Sequence, residues 1–316
     1  MQIVAADIGG THARFALAEI AGAARPKLGA MRKYRTREYK GIGAAWAQFA
    51  RECGPLPRAA AIAVAAPIEG DTLTFMNSDW RIDRHGLAAE LGVDRMTLLN
   101  DFGAVAHAVS IMPPEELVPL CGPGDLPAEG VVSVIGPGTG LGVAILDRRR
   151  GIEVIETEAA HVGFCPLDAD EETVARSVAE RYGRASVERV VSGPGLIDIY
   201  RALGGEGEWD ATNAGALWEA AIEGRDSLAV RALALLVRSF GAAAGDIALA
   251  HGAMGVAITG SLAGRIAHLL RGPDFAARFT AKGRYRERMM RTPARLVTYA
   301  EPGLLGAAIA FQREFG

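Results

Sequence analysis

Two stretches of this chain have the same shape, and together they narrow what it can fold into. Near the start, "IVAADI" and "ARFALAEI" flank "GGTH". From Val134 to Leu146, "VIGPGTGLGVAIL" sets Gly136, Gly138, Gly140 and Gly142 between two apolar runs. A strand, a glycine-rich turn and a second strand read as a β-hairpin. Each hairpin is followed by a third candidate strand, "MRKYRT" in one case and "IEVIETEA" in the other. Two halves that open alike predict a duplicated α/β core.

The remaining pattern fills in those halves. A helix is predicted over Ile42 to Cys53, then a buried strand over Ala60 to Ala66, whose apolar character is continuous. "TLTFM" and "RMTLLN" read as strands, and "FGAVAHAVSIM" as the helix that follows at once. Pro113 to Gly130 holds Pro-Pro and "CGPGDLP" and reads as a linker and domain boundary. The second half is mostly helical from Glu171 to Ala250, with a strand "GVAITG", a helix from Leu262 and a late strand "ARLVTYA". The last helix, "PGLLGAAIAFQREF", has Pro302 in its first turn, where a missing N–H costs little.

Composition excludes several classes of partner. A formal net charge of −3 argues against nucleic acid or an anionic membrane as the main partner. Cys53, Cys121 and Cys165 lie far apart with no CxxC pair, which argues against a zinc site and a disulfide framework and suits a reducing compartment. "MQIVAADIGG" lacks the basic region and apolar core of a signal peptide. The most apolar helical stretch, Ala229 to Ala250, carries Arg231, Arg238 and Asp246, which a membrane span rarely does. The expectation is a soluble, cytoplasmic protein.

Glycine-rich turns after strands often cradle phosphate, and two common motifs of that kind fail here. No lysine follows the glycines, so GxxxxGK[ST] is absent; the glycines alternate, so GxGxxG does not fit. Both motifs also need a helix directly after the loop, whereas "LGVAIL" is strand-like. A turn inside a hairpin can still form a nest of backbone N–H groups for phosphate oxygens. In "DIGGTHAR", Asp7 ends a buried strand just before Gly9, Gly10 and Thr11. Two such hairpins, one per domain, with an acid at one of them, would hold a Mg-nucleotide between the domains. Either turn alone reads equally well as a plain β-turn.

Polar residues at element ends supply the other candidates. Asn100 and Asp101 close the strand "MTLL" just where a helix starts. Helix capping explains one of the two. A carboxylate at the carboxyl end of a strand can also accept a proton from a hydroxyl nucleophile in phosphoryl transfer. Glu158 and His161, at i and i+3 in "TEAAHVGF", point the same way if that stretch is a turn or short helix, either as a surface pair or as ligand groups. Glu188 precedes an apolar, strand-like run in "VERVVSGPG". Amide, carboxylate and imidazole groups of this kind can satisfy the many hydroxyls of a sugar.

At these residues the chain resembles the bacterial ATP-dependent glucokinases, in the hexokinase branch of the actin-like ATPase superfamily. "ADIGGTHARFAL" looks like the first phosphate motif, "LNDFGAVA" like the sugar motif with the aspartate base, and "IGPGTGLGVA" like the second phosphate motif. "TEAAHVGFCPLD", "ERVVSGPGLIDIY" and "PGLLGAAIA" complete the order. The resemblance implies a two-domain actin-like ATPase (ribonuclease H-like) α/β fold with mixed β-sheets, flanking helices and an active site in the interdomain cleft. Its domains would be residues 1–112 plus 301–316, and 113–300. Asp101 would take the proton from the glucose 6-hydroxyl, with Asn100, Glu158, His161 and Glu188 on the other hydroxyls. Ala6, Asp7, Ile8, Gly9, Gly10 and Thr11, with Gly138, Thr139 and Gly140, would contact the ATP phosphates. Mg2+ would lie near Asp7, directly or through water, and Gly260 beside the adenosine. A homodimer is implied.

Three positions depart from the family pattern. His12 stands where asparagine is more usual, Ala159-Ala160 replace a Gly-Gly pair, and Ser261 replaces a second glycine. The rival readings are a kinase of another hexose, such as fructose, mannose or an N-acetyl amino sugar, and a non-catalytic sugar sensor. A sensor of the transcription-regulator kind would carry a basic helix-turn-helix ahead of the first strand, which here begins at residue 2.

Overall fold

The computed structural model describes residues 1–75, 78–207, 209–210 and 213–316. The chain forms two compact units, Met1–Met112 with Tyr299–Gly316, and Pro113–Thr298.

The first unit opens with β1 (Gln2–Ile8) and β2 (His12–Glu19), an antiparallel hairpin. Two short strands, β3 (Lys27–Leu28) and β4 (Arg32–Arg35), lie along β2. β5 (Ala59–Val64) runs parallel to β1. β6 (Thr72–Phe75) and β7 (Ser78–Asp83) form a separate hairpin, and β8 (Arg95–Asn100) pairs parallel with β5. The main sheet therefore reads β3-β2-β1-β5-β8, with β4 also on β2.

Both faces of this sheet are covered, which is why β5 is apolar throughout rather than alternating. Val4, Ala6 and Ile8 of β1 pack with Phe15, Trp46 and Phe49 on one face. Ile3 and Ala5 pack with Ala61, Ala63, Leu304 and Phe311 on the other. The strand period of two thus sends Asp7 to the face covered by the C-terminal helix Pro302–Phe315. That helix lies against the helix Asp101–Val109, and Gly306 is what allows it: a Cβ there would fall 1.6 Å from the Ala104 carbonyl oxygen.

The second unit repeats the order. β10 (Val131–Pro137) and β11 (Leu141–Asp147) form its antiparallel hairpin, after a short strand β9 (Leu117–Cys121). β12 (Glu153–Thr157) pairs with β11. β13 (Gly255–Ile258) runs parallel to β10, and β14 (Ala294–Val297) parallel to β13. The sheet is β12-β11-β10-β13-β14-β9, the same succession as in the first unit with β9 added antiparallel at the edge.

The helix Ser227–Ala250 is long and apolar enough to cross a membrane by length and composition alone, but 78% of its apolar window is buried within the protein. Its charges have partners: Arg231 bonds Asp170 at 2.7 Å, and Lys282 reaches Asp246 at 2.8 Å.

Two expectations need correction, and one strand had none. Pro113 to Gly130 is not wholly linker, because Leu117–Cys121 is the edge strand β9; Pro119 fits there because an edge strand can lack a donor. The run after Glu188 is not strand-like: Val187–Val190 is one turn of helix. Val187 and Val190 are both buried, a helical spacing of three, and Ser186 caps the turn by accepting from Arg189 N. The strand without an expectation is β7, "SDWRID", in which Trp80 and Ile82 alternate inward between exposed charged residues.

Candidate active site

In the first unit the turn Gly9–His12 closes through Gly9 N donating to His12 O at 2.9 Å. Thr36 holds it from the side of β4: its Oγ1 donates to Gly10 O at 2.6 Å and its N–H to Thr11 O at 3.1 Å. Asp7 faces Arg14 across the hairpin, and Arg14 NH1 lies 3.2 Å from Asp7 Oδ2. Arg14 Nε also approaches Glu301 at 3.6 Å, at the entry to the C-terminal helix. Burial pushes the Asp7 carboxyl above its ordinary range, and the charge and hydrogen bond of Arg14 pull it part of the way back. Burial raises Glu301 likewise, opposed by Arg14. His12 is held below its ordinary value by partial burial and then by the charges of Lys33, Arg14 and Arg35, so the turn lies in a positive field.

The structure separates the candidates of this stretch into two kinds. Gly9, Gly10 and Thr11 form the turn, with Thr11 exposed. Ala6 and Ile8 are strand residues with fully buried side chains, set in β1 between β2 and β5.

Asn100 is the N-cap of the helix Asp101–Val109. Its Oδ1 accepts from Phe102 N at 2.8 Å and Gly103 N at 3.3 Å, while its Nδ2 donates to Ala66 O at 3.2 Å. The cap is therefore supplied by Asn100. Asp101 is the first helical residue, at the end where the helix dipole stabilises negative charge; its Oδ1 accepts from Phe102 N at 2.9 Å.

In the second unit the turn Gly138–Gly140 closes through Gly138 N donating to Gly140 O at 2.7 Å. Gly193 N donates to Gly138 O at 2.8 Å, and Leu141 N donates to Glu188 Oε2 at 3.0 Å. Thr139 is exposed at its tip. Gly260 packs directly beneath the strand before it: φ is +96°, and a Cβ would fall 2.6 Å from Pro137 O. Glu188 and Gly260 are thus both brought to the second glycine turn.

Glu158 and His161 lie on one side of the short 3-10 turn Ala159–His161, with His161 Nε2 at 3.4 Å from Glu158 Oε2. Both side chains are open, 61% exposed for Glu158 and 46% for His161. Val187 N donates to Val162 O at 2.9 Å and Phe164 N to Ala185 O at 3.0 Å. These bonds run the segment of Glu158 and His161 alongside that of Glu188. Ala159 and Ala160 need no glycine, since among the described residues no non-glycine has positive φ.

Sequence reasoning missed Arg14, Thr36, Gly193 and Glu301. Arg14 had a signal: a hairpin pairing Ile8 with Ala13 must set Asp7 opposite Arg14. The others depend on long-range packing and had none. Among the described residues no three His, Cys, Asp or Glu side chains could hold a metal by themselves. The Asp7 carboxylate, 19% exposed at its side chain, would suit a Mg2+ that takes its other ligands from phosphate oxygens and water.

A family model described as Glucokinase matches residues 4–314. The chain is 46% identical over 320 residues to the glucokinase of Zymomonas mobilis subsp. mobilis, covering 100% of this chain and 99% of that one. It is 40% identical over 312 residues to the glucokinase of Caulobacter sp. (strain K31), covering 96% and 93%. Among solved structures, a glucokinase from an Antarctic psychrotroph superposes with a TM-score of 0.84 at 27% identity, covering 99% of each chain. The fold is that of the actin-like ATPase sugar kinases.

Proposed function

The chain belongs to the glucokinase family, and from that premise we propose that it transfers the terminal phosphoryl group of ATP to the 6-hydroxyl of glucose. The products are glucose 6-phosphate and ADP, the entry step of glycolysis. The observation that carries the reading is the pair at the end of β8: Asn100 supplies the helix cap, so capping does not account for a carboxylate at the next position.

Asp101 acts as the general base, accepting the proton of the 6-hydroxyl as its oxygen attacks phosphorus. Asn100, Glu158, His161 and Glu188 hold the other hydroxyls. The amide groups of Gly9–Thr11 and Gly138–Gly140 bind phosphate oxygens, and Gly260 lies beside the adenosine. Asp7 would hold Mg2+, through water or directly, and the cation would neutralise charge on the phosphates. Ala6 and Ile8 support the turn through the backbone of β1. Three free cysteines and a net charge of −3 support a cytoplasmic setting with no nucleic acid or membrane partner. The family pattern supports a homodimer.

The test separates chemistry from binding. Asp101→Asn is expected to retain glucose affinity, measured by calorimetry, while kcat falls by roughly 10²-fold or more, the scale of a lost general base. Near-normal turnover in this variant removes Asp101 from the role.

A further inference from the structure

Beside the first turn, the unit Met1–Met112 contains a cavity of about 950 Å3, and apart from Gly10 and Thr11 none of its described lining residues has a role above. Its lining includes Gly10, Thr11 and His12 of the turn and the cations Arg35, Arg37 and Lys40. Asp79 is the one carboxylate among the described lining residues.

The cations are carried on a segment tied to the turn. Arg35 pairs with His12 in the β2–β4 register. Thr36, next to it, is pinned to Gly10 and Thr11 by the two hydrogen bonds given above, and Arg37 follows in the 3-10 turn Thr36–Glu38. Among the described residues, none of Arg35, Arg37 and Lys40 has an ion-pair or side-chain hydrogen-bond partner. Gly10 N and Thr11 N likewise find no acceptor among the described residues. His12, on the same wall of the cavity, is lowered first by partial burial and then by the charges of Lys33, Arg14 and Arg35.

Unpaired guanidinium groups, an ammonium and open backbone amides around one recess are the donor set for a multiply charged phosphate anion. Guanidinium forks bind such oxygens in pairs, and consecutive amides form a nest for them. We propose that this cavity binds a phosphate-class oligoanion of the size of pyrophosphate, separate from the nucleotide, and that its occupancy competes with the nucleotide for Gly10 and Thr11. The competition rests on Gly9–Thr11 being a nucleotide-phosphate turn; the binding does not.

The probe is inorganic pyrophosphate, titrated calorimetrically into the full-length protein without sugar or nucleotide. Wild type is expected to bind it more weakly as salt rises. Joint substitution of Arg35→Ala and Arg37→Ala should weaken binding at least about tenfold, the scale of one lost charge-assisted hydrogen bond. Arg35→Lys with Arg37→Lys should fall between. The KM for Mg-ATP, measured without pyrophosphate, should change by a smaller factor than the pyrophosphate affinity in both double variants. Pyrophosphate should inhibit wild type competitively against Mg-ATP, and that inhibition should disappear in the alanine pair. No binding by wild type, or unchanged binding by the alanine pair, overturns the proposal, and non-competitive inhibition overturns its competitive part. Arginine-dependent pyrophosphate binding by a protein that phosphorylates no sugar would support the site while removing the kinase reading.

Discussion

In the first hairpin, Asp7 faces Arg14 just before the turn Gly9–His12; in the second, Gly136 faces Gly142 just before the turn Gly138–Gly140. The first turn thus carries its charges on its own two strands. The second has none next to its turn, its Asp147 lying at the far end of β11, and takes its carboxylate from Glu188, on a helical turn far along the chain, through Leu141 N. Backbone packing differs in the same sense. The first turn is held by the side chain of Thr36, just after β4, the second by the close approach of Gly193 and Gly260. A duplicated frame has kept its strand order while its two turns are stabilised by different physics, electrostatic in one and steric in the other.

That contrast breaks most sharply at the glycines. Gly260 has a backbone conformation open essentially to glycine alone, with the Pro137 carbonyl where a Cβ would go. Gly260→Ala should cost about 2–4 kcal/mol in denaturant unfolding, from strain plus displaced backbone. At Gly9 the nearest atom to an added Cβ is His12 O at 3.6 Å, an ordinary contact. Gly9→Ala should therefore cost less than about 1 kcal/mol. Equal losses at the two sites would erase the steric distinction.

Glu188 gives a smaller effect with a finer edge. Glu188→Ala leaves Leu141 N–H without its acceptor, about 1–3 kcal/mol. Glu188→Gln keeps an oxygen there and should recover most of that stability. Both variants should raise the KM for glucose, since hydroxyl recognition needs the carboxylate. A glutamine variant with wild-type KM would leave Glu188 as a support of the turn only.

The smallest stability effect belongs to Asp7, where charge rather than shape is at stake. Its carboxyl is raised by burial, so the ionised form lowers the stability of the folded protein as pH climbs past the ordinary value of 3.8. Asp7→Asn should therefore be at least as stable as wild type at pH 7, with an advantage that vanishes below about pH 4. Arg14 keeps Glu301 as a partner in that variant. Mg-ATP use should fall nonetheless. Melting temperatures from pH 3 to 8, alongside the KM for Mg-ATP, check both halves. A variant less stable than wild type at pH 7 would mean that the Arg14 pair outweighs burial.

How much of this was legible depends on how local each feature is. The hairpins and the helix Ile42–Cys53 follow from neighbouring residues, and the structure has them where the sequence puts them, while the choice of Asn100 over Asp101 as the cap came from the structure. β9 did not announce itself, because its five residues include a proline and its partner β14 is almost the length of the second unit away. The helical turn at Glu188 was obscured by valines, which favour strands until burial at a spacing of three decides otherwise. Among the site residues, the Asp7–Arg14 pair is fixed by hairpin register and was within reach. Glu301 beside Arg14, and Glu188 on Leu141, arise from packing between distant segments, and nothing in their local sequence marks it.

The most direct measurement is the initial rate of ADP release with Mg-ATP over glucose, mannose, fructose, galactose, glucosamine, N-acetylglucosamine and N-acetylmannosamine. A kinase that reads glucose through Asn100, Glu158, His161 and Glu188 should respond strongly to glucose and weakly to its epimers, since a site built on one hydroxyl penalises its loss. A stronger response to another hexose would contradict the glucose assignment, and silence across the panel despite ATP binding would contradict the kinase itself.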